Sequence, residues 1–500
     1  MEKKNKLKII HIVLIILGII FILIPQFHSN MWFDESYSVS IADKSFSQIW
    51  SIGKNDVHPV FYYWILHIIN LIFGSNVLIY RLFSTLCISI LGILGFTHIR
   101  KDFGEKTGIL FSFFAFFFPI NVVYAGEIRM YPLAMLLVTL MAIYAYRIYR
   151  NKENKDIKNW ILFAIFSLAS AYTHYYALMA AGIINIMLFV RFIIDAKKEK
   201  KFTYNLKVFL LQAVIQILLY LPWILALLLQ MGQVHNGFWI GITFPDFFVE
   251  FFTFQFTGNL DDNEYVPQIL AIIFGILICA YMIYLYAKNK KEEELKPAKL
   301  SIAIWFLVAL GACVVSLIIW SPIIYARYML CVTGLLIFFI TYTMSEKGNA
   351  KINIAICAIS FILSVIAVVN LVQENYAQSN TELTEYLSSV VEDGDVFICG
   401  NEGSGFVVSA MYVDHKLYFY DEAHWEVEPA YKAFGTDMES IYSLEDLEDY
   451  TGRIIIINAG TYMIYEQLDE MYDDIELIEQ KSIDVEYKGY KYTFAIVEKN

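Results

Sequence analysis

Residues 9–27, "IIHIVLIILGIIFILIPQF", contain no charged side chain, and runs of this kind constrain the chain more than anything else in it. An apolar helix of about 20 residues matches the roughly 30 Å hydrocarbon core of a bilayer, because each residue rises about 1.5 Å. Further runs of spanning length lie near 77–99, 107–124, 130–149, 159–173, 175–194, 205–229, 266–287, 299–320, 325–344 and 351–372. The 500 residues are 58% hydrophobic and 17% aromatic, with a mean hydropathy of +0.53. Soluble proteins stay nearer about 45–50% apolar. The chain therefore reads as an α-helical polytopic membrane protein. The opening "MEKKNKLK" and the apolar run behind it resemble a secretory leader, but no small-residue cleavage site follows. The first helix is expected to be retained.

One apolar stretch, "VFYYWILHIINLIFG" at 60–74, is too short to count as a span. It would reach only about 22 Å as a helix, and counting it would reverse every later loop. Positive charge decides the matter, since lysine and arginine collect on the cytoplasmic side of a membrane. With 60–74 left out, 25 of the 37 lysines and arginines fall on one side: in the N-terminal segment and in the inner loops such as "RIYRNKENKDIK" and "KNKKEEELKPAK". That arrangement gives about eleven spans, a cytoplasmic N-terminus, and a C-terminus outside the cell membrane. Residues 60–74 then form an interfacial helix within a first outer loop over 28–76.

Near residue 374 the composition changes. From Glu374 onward the chain carries 28 acidic and 7 basic residues, against 21 and 30 before it. Strand-like "DVFICG", "KLYFY" and "GRIIIINAG" alternate with helix-like "TELTEYLSSVVED" and "TYMIYEQLDEMYDD". The expected division is a membrane domain over 1–374 and an extracytoplasmic α/β domain over 375–500. "GNEGSG" (400–405) after a strand reads as a turn rather than a phosphate loop. The six cysteines are scattered without paired spacing, so neither a disulfide framework nor a zinc site is expected.

Function is suggested by what remains on the outer side. Outside the tail, five basic residues escape the cytoplasmic bias, and three are arginines at outer helix ends: Arg81 in "IYRLFS", Arg129 in "GEIRMYPL" and Arg327 in "IYARYML". Taken singly, each could snorkel to lipid headgroups. Taken together, and beside aromatic residues, they suit a phosphate, which a guanidinium fork grips in two places. At the same level lie Asp34 and Glu35 in "NMWFDESYSVS", His58 in "DVHPVFYY", Glu127 beside Arg129, and His174 with Tyr175 in "AYTHYYAL". First-turn carboxylates also serve as helix caps, and a lone histidine is often structural. The convergence of carboxylates, histidines and arginines on outer connections, while inner ones carry lysine, points to a site for a lipid phosphate. A carboxylate there can take a proton from an acceptor hydroxyl. Neither a P-loop nor a dinucleotide fingerprint is present.

The acidic pair after the first span, "HP" leading into an interfacial helix, "YRLFS", "EIRMYPL", "THYY" and the late "ARY" resemble, in that order, the GT-C membrane glycosyltransferases. The likeness is to the bacterial family 39 type, related to protein O-mannosyltransferases and aminoarabinose transferases, and covers roughly residues 8–345. It implies an inverting transfer of a sugar from a polyprenyl-phosphate carrier, within the membrane lipid, to an extracytoplasmic acceptor (a cell-envelope glycan, lipid or protein). Asp34 would be the base, supported by Glu35. Arg327, Arg81 and His58 would hold the donor phosphate, and Glu127, Arg129, His174 and Tyr175 would line the sugar or acceptor side. A divalent cation such as Mg or Mn is allowed by the resemblance and not required, and no nucleic-acid partner is implied. The long aromatic outer loop over 230–265 would order over the site when lipid binds. Three rivals remain: a transporter or flippase, a hydrolase using a carboxylate pair, and a sensor whose function lies in the acidic tail.

Overall fold

The structure is a computed structural model that describes residues 2–236, 244–257, 265–289, 293–400, 403–412, 414–421, 433–434 and 438–500. It divides into two compact units. One comprises Met1–Ile24, Val57–Tyr62 and Leu82–Val369; the other comprises Pro25–Asp56, Tyr63–Arg81 and Asn370–Asn500. The protein is a polytopic helical membrane protein with an α/β sheet domain at its C-terminal end.

Among the described residues, nine helices are long and apolar enough to cross a membrane. They correspond to nine of the eleven expected runs, and the other two differ for local reasons. The run at 107–124 is broken into Glu105–Phe117 and Pro119–Tyr124. Phe118 is extended (φ −99°, ψ 121°) because the ring of Pro119 disfavours helical geometry in the residue before it. Asn121 answers the break by donating its side-chain N–H to the Ala115 carbonyl at 3.1 Å. The run at 159–173 forms the 15-residue helix Ile157–Ala171, started by Asp156, whose carboxylate accepts from the Lys158 N–H. At about 1.5 Å per residue it spans only about 22 Å.

Some polar groups inside this unit bond to one another, which lowers their cost in a hydrocarbon surround. Buried His11 contacts the Ser112 hydroxyl at 2.7 Å, and Ser112 donates to the Gly92 carbonyl at 2.6 Å. The Phe116 ring lies against both Gly18 and Gly92, where any Cβ would collide with it. Large side chains such as Leu211, Ile217 and Leu225 are exposed on the Tyr204–Asn236 helix, an apolar face that lipid would cover. The expected outer loop over 230–265 is not loop throughout. Its residues 237–243 and 258–264 lie outside the described residues, but Phe244–Thr257 is a 14-residue helix. Phe251 packs on Trp305 with ring centres 4.6 Å apart, and Thr333 donates to buried Gln255 at 2.9 Å.

The second unit is built on a sheet of six strands among the described residues: β1 (Val396–Cys399), β2 (Lys416–Tyr420), β3 (Met438–Ile441), β4 (Gly452–Asn458), β5 (Ile475–Asp484) and β6 (Lys491–Lys499). Their order is β3-β2-β1-β4-β6-β5, with β3, β2, β1 and β4 parallel and β6 antiparallel to both β4 and β5. Central strands buried on both faces need continuous apolar runs, which "VFIC" and "IIII" supply. The helices Ser379–Val390, Gly403–Met411 and Met463–Met471 accompany the sheet. The same unit holds Phe33–Ala42, Phe46–Asn55, and the helix Phe61–Phe73 from Tyr63 onward. Ser45 and Gln48 form a reciprocal capping box at the start of Phe46–Asn55. Ile68, Leu71, Ile72 and Phe73 are exposed on Phe61–Phe73, which is about 20 Å long at about 1.5 Å per residue.

Candidate active site

The expected site residues fall into two clusters, one in each unit. In the second unit Asp34 and Glu35 occupy the first turn of Phe33–Ala42, where the helix dipole favours negative charge. Trp32, the N-cap, makes no side-chain cap bond. Asp34 is half-buried, whereas the Glu35 side chain is wholly buried. Glu35 accepts from the two terminal nitrogens of Arg81, at 2.8 Å on Oε1 and 3.2 Å on Oε2. Arg81 also donates to the Asn30 carbonyl at 2.7 Å, and Tyr487 donates its hydroxyl to Glu35 Oε2 at 2.8 Å. Glu35, read from the sequence as support for the base, and Arg81, read as a donor-phosphate ligand, are paired with each other in a buried, charge-assisted network.

His28 lies beside this network, its ring 5.3 Å from that of Tyr487. Burial, with Arg81 and Lys488 adding to it, lowers its pKa to about 2, so it is neutral. Burial also pushes the Tyr487 phenol well above its ordinary value, and the Glu35 charge pushes it further. Tyr487 therefore keeps the proton it donates.

The cluster in the first unit lies at helix ends and in the turn over 125–130. Arg129 is buried, and its Nη2 donates to His58 Nε2 at 3.2 Å. His58 is half-buried just before Pro59. His174 is buried at the N-terminal end of Tyr175–Glu199, where Nδ1 accepts from the Tyr176 N–H at 3.1 Å. Its ring lies 5.6 Å from Tyr131 and 5.1 Å from Tyr328. Burial holds the His174 pKa well below the usual histidine range, and the charges of His58, Arg129 and Arg327 reinforce the shift. Arg327 is the second residue of the short helix Ala326–Val332, with its guanidinium 4.9 Å from the Tyr325 ring centre. Glu127 is half-buried two residues before Arg129 and accepts at its carbonyl from the Arg129 N–H at 2.8 Å.

Tyr175 takes a different direction from His174. Its hydroxyl donates to Gln230 and accepts from the Trp223 indole N–H. Four tyrosines were given no role in the sequence reading. Tyr131 and Tyr328 entered it only as aromatic residues near Arg129 and Arg327, in "RMYPL" and "ARYML". Tyr487 and Tyr490 lie in "DVEYKGYKYTF", where nothing local marks them. Among the described residues, no group of three or more His, Cys, Asp or Glu side chains could hold a metal ion.

A model of the family described as dolichyl-phosphate-mannose-protein mannosyltransferase matches residues 57–227. That stretch includes His58, Arg81, Glu127, Arg129, His174 and Tyr175, and over it the resemblance read from the sequence holds. Two crystal structures of ArnT from Cupriavidus metallidurans, one in the apo state and one bound to undecaprenyl phosphate, are similar to the chain. Each is 10% identical over 97% of both chains, with a TM-score of 0.46. No curated protein sequence matches the chain.

Proposed function

We propose that the protein is an inverting glycosyltransferase that moves a sugar from a polyprenyl-phosphate carrier to an acceptor outside the cytoplasm. The observation that carries this reading is the cationic cluster of the first unit. Buried Arg129 bonded to His58, with Arg327 close enough to help keep His174 neutral, gathers positive charge at helix ends. Most of that cluster falls inside the stretch similar to a family named for a dolichyl-phosphate sugar donor. A phosphate is the anion that two guanidiniums suit best.

In the reaction, Asp34 takes the proton of the acceptor hydroxyl. The freed oxygen attacks the anomeric carbon as the bond from that carbon to the phosphate oxygen breaks. The electron pair leaves with the polyprenyl phosphate, a group whose growing charge guanidiniums offset. Attack opposite the leaving group inverts the anomeric centre. Glu127, His174 and the tyrosines Tyr131 and Tyr328 shape the sugar side. Arg81 and Glu35 serve the fold around Asp34 by neutralising one another. The membrane is the cell membrane, with the N-terminus in the cytoplasm and the α/β domain outside.

The test is transfer from a labelled panel of polyprenyl-phosphate sugars, mannose among them, with and without divalent cation, using bacterial membranes as acceptor. Wild type should transfer one sugar, and a well-folded Asp34→Asn protein should do so at least about a hundredfold more slowly. Equal turnover by both proteins would remove Asp34 from the chemistry. Sugar released to water without an acceptor would make the protein a hydrolase, and movement of intact donor across vesicles would make it a flippase.

A further inference from the structure

The first turn of Phe33–Ala42 is held from far along the chain. We infer that Tyr487 and Tyr490, at the C-terminal end, are positioning residues for Asp34, so that transfer depends on the α/β domain; this rests on Asp34 being the base. The observations that carry the inference all lie within the second unit.

A helix start leaves its first backbone N–H groups without intrahelical partners, and here the N-cap Trp32 offers no side chain to them. Tyr490 supplies what is missing: its hydroxyl oxygen accepts from the Phe33 N–H, immediately before Asp34, at 3.2 Å. On the other side of Asp34, Tyr487 donates to Glu35 at 2.8 Å, across 452 residues of sequence. Asp34 thus sits between two residues that are each tied to the same short segment of the tail.

That segment is itself fixed. The Tyr487 N–H donates to Asn380 Oδ1 at 2.9 Å, and the Asn380 amide donates to the Asn375 carbonyl at 3.2 Å. The Asn30 amide donates to that same carbonyl at 2.9 Å, which closes a ring of contacts around the approach to the Asp34 helix. Gly403 leaves room for the arrangement, because a Cβ there would stand 2.7 Å from the Tyr490 hydroxyl oxygen. Phe33 in turn packs on Phe406 and Phe434, at 5.6 and 5.8 Å between ring centres.

Hydroxyl removal is the gentlest probe, since Tyr487→Phe and Tyr490→Phe keep the rings. In full-length protein in detergent, both variants should exchange deuterium faster over residues 30–42 while the sheet strands keep wild-type protection. With the polyprenyl-phosphate sugar that wild type consumes, kcat should fall about ten- to a hundredfold, the scale of a misplaced catalytic group, with KM unchanged. The loss should vanish when the same changes are made in an Asp34→Asn background, because the tyrosines act through Asp34. Gly403→Ala should reproduce Tyr490→Phe and add nothing to it.

Unaltered exchange over 30–42 in both variants would overturn the inference. So would unaltered kcat, or an equal loss in the Asp34→Asn background, which would mark a general structural role. Failure of the parent reading looks different: Asp34→Asn would then turn over donor as wild type does, while the exchange data still report whether the tail holds the helix.

Discussion

His174 is a neutral imidazole enclosed by tyrosines, with positive charge around it. Its folded-state pKa is depressed, so the unfolded chain takes a proton that the folded chain refuses. The stability linked to it is whole above the unfolded value, about 6.5, and falls by about 1.4 kcal/mol per pH unit below it. Thermal unfolding between pH 7 and 5 should show this loss in wild type. It should show less in His174→Asn, which keeps an acceptor for the Tyr176 N–H and does not titrate. Glu35 and Arg81 present the opposite case, a buried pair of charges. Arg81→Met strands a carboxylate and should cost about 3–5 kcal/mol in an unfolding titration, while Glu35→Gln with Arg81→Met together should recover much of it. Residue types at this scale were legible in the sequence: arginines against the charge bias, and histidines and carboxylates beside them. Their partners were not. Glu35 and Arg81 stand 46 residues apart, and no local pattern announces that one will neutralise the other.

Helices were legible to the extent that hydropathy decides them. The spans emerged because lipid requires length and apolarity, which are properties of a window of sequence. The break at Phe118 was hidden because the residues just before and after Pro119 are apolar, and the cause lies in backbone sterics that hydropathy ignores. The Phe244–Thr257 helix was hidden for the reverse reason: Asp246 and Glu250 interrupt a run too short to span, so its aromatic side chains read as loop. Close packing between helices gives the prediction proper to this scale. Gly92→Ala should drive a methyl into the Phe116 ring and destabilise by about 1–3 kcal/mol. Gly182→Ala, where a Cβ meets open space, should be neutral or slightly stabilising from helix propensity alone. Thermal unfolding of the two variants in one detergent distinguishes them.

At the scale of the molecule, the charge asymmetry predicts orientation, and protease applied to intact cells should remove a tag at the C-terminus but spare one at the N-terminus. The sequence pointed to a membrane part followed by an acidic α/β part, since composition changes near residue 374. It gave no sign that Pro25–Asp56 and Tyr63–Arg81 join Asn370–Asn500 in one compact unit, because such grouping depends on contacts between distant segments. This grouping has a consequence for synthesis. Tyr487 follows Glu35 by 452 residues. At roughly 5–20 residues per second, the ribosome needs roughly 20–90 s to deliver the later partner after the earlier one. Throughout that interval Glu35 and Arg81 are in the membrane-bound nascent chain without the hydroxyl that completes their network. A product ending before residue 487 never receives it, so a truncated chain is both untethered at its Asp34 helix and, on the reading above, silent as a transferase.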